Sequence, residues 1–425
     1  MNEAPGRTAQ SAAALVAAVA RGDDDTVRAL LADGADPDAR DGGGRPVLHL
    51  AIDRFAEAAA EALVDHGADL HLPGADGRNA LLRTVDSGSP DLLLAVVRRD
   101  PQRLSEADRA ALLASARHWH EVGVETELRR RTGAAGPVER HRAQDRWTDC
   151  DEVSLGGLTV RDGHTALLTE LETEFDVPAP FEELLRRALD CADTSHATWS
   201  AAASVIADTR DDAGWDAAAA LRDHPDPLVR HFGVDVLRMT YATGWDFLWA
   251  KGPNPWARRF LDVLLSWSDD EDDPEVLALV LYSLAEDGDP RVVAALLPHL
   301  DHPDGRVRAE VARGLLRYDS PTEHLDVVLS LTRDSDPLVR QHACYEVAAA
   351  ARTDRREDVV AALAERLEDE HPTVLLAVAR SLAICRDARC LLARDRLPKE
   401  YRTRRYDDFL DPVWHYETVL HGPRA

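Results

Sequence analysis

The side chains best suited to chemistry in this chain gather between positions 141 and 196: His141, Asp149, Cys150, Asp151, His164, Cys191, Asp193 and His196. Imidazole, thiol and carboxylate are transition-metal donors, and a sequence usually betrays such a site by His or Cys pairs at close spacing. No His/His or Cys/Cys pair here is spaced to share one helical face, so no metal and no cofactor is expected. Asp193-Thr194-Ser195-His196 reads instead as a turn entering a helix cap. A second group follows at Trp245, Asp246, Trp249 and Trp256, where the first two tryptophans are four apart and share a face if helical. Asp269-Asp270-Glu271-Asp272-Asp273 lacks the glycine and distal glutamate of a calcium loop. Solvation and the dipole of the helix that follows account for much of that run, and it could equally steer a basic partner. Gly-x-Ser-x-Gly, a phosphate loop and His-Glu-x-x-His are all missing, so no residue is assigned a catalytic role.

The elements that position these groups follow from length and repetition. A chain of 425 residues exceeds one compact core but suits two stacked-helix arrays with a junction between them. The net charge of −27 repels phosphate backbones, which disfavours nucleic acid and favours a basic protein as partner. Five cysteines, an odd number without a CxxC pair, fit a reducing cytoplasm better than a disulfide framework. Residues 12–20 are apolar and end like a signal-peptidase site, but a single preceding arginine and an uninterrupted repeat favour a first repeat helix. No run approaches the roughly 18 apolar residues of a membrane span.

Gly34-Ala35-Asp36 recurs as Gly67-Ala68-Asp69, a spacing of 33. Pro46-Val47-Leu48-His49-Leu50-Ala51 opens one unit and Asn79-Ala80-Leu81-Leu82 another, again 33 apart. Residues 12–101 therefore resemble ankyrin repeats, whose helix pairs end in Gly-Ala-Asp and whose openings read Thr-Pro-Leu-His-x-Ala. Threonine is missing at both openings, and the third unit ends Arg98-Arg99-Asp100-Pro101, which suggests a short, worn array. The resemblance implies a structural role for His49, between adjacent loops, and contacts with a partner through loop tips. By that analogy Arg40, Asp41, Arg45, Asp76 and Arg78 are the tip candidates.

Further on, Asp226-Pro227-Leu228-Val229-Arg230 returns as Asp336-Pro337-Leu338-Val339-Arg340, with a relative at Asp304-Gly305-Arg306-Val307-Arg308. Asp caps a helix, Pro takes its first position where no N–H is needed, and Val points inward. Residues 216–397 thus resemble the short HEAT repeats of phycobilisome-lyase-like proteins. The landmarks Pro227, Pro274, Gly305, Pro337 and Pro372 are separated by 47, 31, 32 and 35, so the first unit carries about fifteen extra residues, the Trp-rich stretch. Insertions in solenoids often map to the binding face. The fourth unit, His371-Pro372-Thr373-Val374-Leu375, lacks both Asp and Arg, leaving its cap unassigned. Second helices near 322–333 and 357–367 are expected to line the concave side, exposing Glu323, Asp326, Glu365 and Glu368 in an acidic groove.

The expected architecture is an all-α double α-solenoid. It comprises ankyrin-like repeats over 1–101, an irregular helical junction over 102–215 with a loop at 133–157, HEAT-like repeats over 216–397, and a cap over 398–425. The expected function is a cytoplasmic, non-catalytic adaptor or inhibitor for a basic protein, such as an immunity protein that neutralises a toxin. Partner contacts are expected at Trp245, Asp246, Trp249 and Trp256, at Arg45 and Arg78, and at Glu323, Asp326, Glu365 and Glu368. The competing expectation is an enzyme or small-molecule binder using the Trp-rich groove. Some HEAT-like proteins are alkyl-base DNA glycosylases that employ Trp and Asp, and Trp245-Asp246 and Trp249 supply those residue types without the family's full motif.

Overall fold

The computed structural model describes residues 4–99, 101–144, 148–246, 254–285, 289–316, 322–402 and 406–421, which divide into two compact units, 1–217 and 218–425. The first unit opens with three helix pairs, α1 (Ala4–Arg21) with α2 (Asp24–Ala32), α3 (Val47–Asp53) with α4 (Glu57–Asp65), and α5 (Ala80–Ser87) with α6 (Pro90–Val96). Gly34 and Gly67 close the outer helices at φ +86° and +87°, a region glycine enters without Cβ strain. Leu31, Leu63 and Leu93 are buried between successive pairs, so each pair depends on its neighbour. His49 is buried beneath the next loop, where a Cβ on Gly74 would stand 3.1 Å from its Nδ1. Burial lowers its pKa, and the neutral ring acts as packing between loops.

Two helices follow, α7 (Glu106–Val122) and α8 (Val124–Thr132), and then strands β1 (Glu139–Gln144), β2 (Asp149–Leu155) and β3 (Leu158–Arg161). The strands form an antiparallel sheet in the order β1-β2-β3, which corrects the loop expected at 133–157. Gly156 and Gly157, read from sequence as breakers, are the two-residue turn between β2 and β3, with φ +60° and +85°, a hairpin geometry open to glycine. Val153 pairs with Val160, and both are buried. Helices α9 (His164–Glu174), α10 (Phe181–Cys191) and α11 (Ala197–Thr209) complete the first unit, and α12 (Asp212–Ala220) runs on from it.

The close approach of α5 to the end of β3 depends on Gly88, at φ +68°, where an added Cβ would lie 1.9 Å from the Arg161 carbonyl oxygen. Gly88→Ala is therefore expected to lower stability by more than about 2 kcal/mol, through strain and forced separation of backbones, as read by denaturant unfolding.

In the second unit the five landmark residues each occupy the first position of a helix: α13 (Pro227–Asp246), α15 (Pro274–Leu284), α17 (Gly305–Gly314), α19 (Pro337–Glu346) and α21 (Pro372–Ile384). Between them lie α14 (Ala257–Asp270), α16 (Arg291–Leu296), α18 (Leu325–Leu331) and α20 (Arg356–Glu365), and α22 (Arg389–Arg396) and α23 (Asp407–His421) close the chain. Asp226, Asp273, Asp304 and Asp336 accept backbone N–H groups at the starts of their helices. His371 makes no side-chain cap on α21. Gly305 replaces proline because its site is crowded: a Cβ there would meet the Asp336 carboxylate, itself the cap of α19.

The repeated arginines are inter-repeat clamps. Arg230, Arg308 and Arg340 each donate through Nη1 to two carbonyls of their own turn, at His224 and Pro225, His302 and Pro303, and Asp334 and Ser335. Their remaining nitrogens grip a carboxylate of the following repeat: Glu271, Asp334 and Asp369 respectively. Asp273 caps α15 and Glu271 receives Arg230, which gives two members of the acidic run a structural task.

Candidate functional site

Two sites emerge, one in each unit. In the second unit a groove of 850 Å³ lies along α17, α19, α21 and α23, lined by Arg313, His342, Tyr345, Glu346, Arg380 and Phe409 among others. Ile384 and Phe409 are 42% and 44% exposed there, and the Phe409 ring lies 6.3 Å from Tyr345. Arg313 is stacked over Tyr282, and Arg380 donates to the carbonyls of Asp408 and Phe409. Burial, and then the nearby Arg313, push the His342 pKa down to about 4, so its ring is neutral at neutral pH. The groove is balanced in charge, with an aromatic and aliphatic floor suited to anchoring a protein segment.

The carboxylates expected in an acidic groove do not line this one. Asp326 pairs with Arg355 at 2.6 Å, Glu365 with Arg333 at 2.8 Å and Glu368 with Arg396 at 3.2 Å, while Glu323 is exposed. The pairing follows from the repeat length, which places residues about thirty apart on neighbouring repeats. Trp256 is buried just before α14, under the Arg259 guanidinium. The turn there is fixed by Asn254, which donates to the Tyr241 carbonyl and accepts from the Trp256 N–H. Trp245 and Asp246 end α13, and Trp249 lies outside the described residues.

Of the ankyrin tip candidates, Arg45 pairs with Asp41 and Asp53, and Asp76 with Arg83. Arg78 reaches Asp86, which also accepts from Trp119 Nε1 at 2.8 Å and Arg131 Nη2 at 2.7 Å. Arg131 continues to the buried Glu127, which binds Arg130 and His118 as well. Hydrogen bonding from Arg130 foremost, with Arg131 and His118, holds the Glu127 carboxyl well below the usual range. His164 stacks on Trp119 with ring centroids 4.1 Å apart, and burial pushes its pKa down to about 4. Both tip arginines thus also serve the array's own cohesion.

The second site was not legible from spacing. Cys150 on β2, Asp162 after β3 and His196 before α11 bring one ligand atom each within 4.8 Å of one another. His196 Nε2 lies 2.9 Å from Asp162 Oδ1, and that oxygen also accepts the Asp151 N–H at 2.8 Å. Nδ1 of the same ring accepts the Thr198 N–H, the cap expected for this turn. Cys191, at the end of α10, lines the same cavity as His196. Asp162, Cys191 and His196 face a polar cavity of 410 Å³ shared with His120, Arg142 and Arg187. Burial, with Asp162 adding to it, pushes the Cys150 thiol far up, so it is no free nucleophile. His141 and His164 stand apart from this cluster.

Family models match both repeat-bearing parts of the chain. A family model for ankyrin repeats in three copies matches residues 14–104. A model for HEAT repeats matches residues 261–345 and again 325–399. No curated protein matches the chain. Among solved structures, the crystal structure of an engineered protein is similar over 96% of this chain and 98% of its own, at 15% identity and a TM-score of 0.33, a likeness too loose to bear on function. No helix among the described residues is long and apolar enough to cross a membrane. The chain is an all-α repeat protein of the solenoid type, with ankyrin repeats at its N-terminal end and HEAT repeats in its C-terminal part, both of them scaffolds for protein interaction.

Proposed function

We propose that this protein is a cytoplasmic, non-catalytic adaptor or inhibitor that holds a basic protein, and that its C-terminal repeats are of the phycobilisome-lyase-like type. The observation carrying this reading is the groove along α17, α19, α21 and α23, where Tyr345, Ile384 and Phe409 offer apolar anchors on a rigid, clamped array. Its charges are balanced, so attraction to a basic partner comes from the −27 field of the whole chain, and the groove supplies the grip. A toxin-neutralising immunity protein is the kind of inhibitor this division of labour suits. Trp245, Asp246 and Trp249 remain the proposed second contact, with Trp256 buried before α14 rather than open to a partner, Arg45 and Arg78 at the ankyrin tips, and Glu323, Asp326, Glu365 and Glu368 as charges outside the groove.

The test is capture by the tagged full-length chain from its source lysate, with salt-step elution and identification of the released protein. A basic partner whose association rate falls steeply with salt is expected, and whose affinity drops more than about tenfold on Phe409→Asp. A partner insensitive both to salt and to Phe409→Asp would refute the reading.

A further inference from the structure

We propose that the first unit holds a divalent transition-metal ion, of the zinc class, at Cys150, Cys191, His196 and Asp162. Three donors from three chain segments converge, on β2, the turn after β3 and the entry to α11, and Cys191 at the end of α10 lines the cavity that Asp162 and His196 also face. Ligand atoms around a tetrahedral zinc lie about 3.3–3.8 Å apart. Three of these donors are already within 4.8 Å of one another, about 1 Å beyond that spacing.

The surroundings match what such a site requires. Thiolate, imidazole and carboxylate are the donor classes zinc prefers. Asp162 is itself oriented by the Asp151 N–H and approached by Arg140 at 3.6 Å, the outer support that fixes metal ligands. The polar cavity beside Cys191 and His196 gives an ion a path from solvent. Two thiolates and one carboxylate against a dication leave one negative charge, in a cavity where Arg142 already pairs with Asp149 and Asp193, and Arg187 with Glu172 and Glu183.

Without a metal, the buried Cys150 thiol packs as a small apolar group with Ala166, Ala197 and Ala201. With one, it loses its proton to solvent and becomes a ligand, as does Cys191. His196 exchanges one of its two present hydrogen bonds, to Asp162 or from Thr198, for the metal bond. The ion would fasten the sheet to α10 and α11, where neither repeat pattern supplies stacking.

Full-length chain freed of metal by chelator should bind one equivalent of Zn2+ in competition with a chromophoric chelator. Co2+ should give a thiolate-to-metal charge-transfer band and tetrahedral visible bands. Cys150→Ser, Cys191→Ser and His196→Ala should each weaken Zn2+ binding by more than about 100-fold, beyond the loss expected from outer partners. Cys344→Ser, buried in the other unit, should change nothing. Should Cys150→Ser fail to fold, Cys191→Ser decides, because that thiol is only half-buried. Absence of the charge-transfer band, or undiminished Zn2+ binding by Cys191→Ser, overturns the proposal.

Discussion

Asp86→Ala is expected to destabilise the first unit by about 3–5 kcal/mol, the cost of removing one partner from a buried ionic cluster. Asp86 is the shared acceptor of Arg78, Trp119 Nε1 and Arg131. Its loss leaves the Trp119 indole N–H unpaired in a core position where the ring is sandwiched between His164 and Arg131. It also leaves Arg131, largely buried, to Glu127 alone. Asp86→Asn keeps an acceptor and should cost less. Urea unfolding followed by far-UV circular dichroism gives the shift in midpoint. A loss below about 1 kcal/mol would mean that the cluster is solvated and dispensable.

The same cluster sets an acid limit. The folded-state pKa of Glu127 is depressed, so its contribution is complete above the unfolded glutamate value of about 4.3 and is lost as pH falls towards the folded value. Stability of the first unit should therefore begin to decline below about pH 4, and Glu127→Gln should flatten that decline while lowering stability at neutral pH.

Arg340→Ala is the second large effect, expected at about 3–4 kcal/mol in the C-terminal array. Arg340 gives two nitrogens to Asp369, at 2.8 and 2.9 Å, and a third to the carbonyls of Asp334 and Ser335. Asp369 is 5% exposed, so truncation takes the charged partner from a carboxylate that water barely reaches and that keeps the His371 N–H. In a stacked array each repeat depends on its neighbours, and the break should free α20 and α21 to exchange amide hydrogens together, ahead of α13–α15. Arg355→Ala provides the contrast. Its partner Asp326 is 80% exposed, and loss of that pair should cost less than about 1 kcal/mol. Equal effects of the two substitutions would show that the repeated arginine is not a clamp.

The sequence alone was sufficient wherever structure is local. Asp-Pro fixed the starts of α15 and α19 because a cap and a missing N–H act within one turn, and Gly34 and Gly67 fixed helix ends for the same reason. A period near 33 or 32 residues sufficed to reveal two kinds of stacked repeat, since each unit repeats the apolar face its neighbour must cover. Tertiary structure alone decided three things. The sheet at 139–161 was invisible because β1 carries charged and polar residues, Glu139-Arg140-His141-Arg142-Ala143-Gln144, with no alternating apolar face. Asp326, Glu365 and Glu368 pair with arginines of adjoining repeats, contacts that only stacking creates. Cys150, Asp162 and His196 met because a hairpin and a helix entry fold onto each other, and separations of 12 and 34 residues match no local period. Helix caps and repeat periods are written along the chain, whereas a site assembled from several segments exists only once packing has set the distances between them.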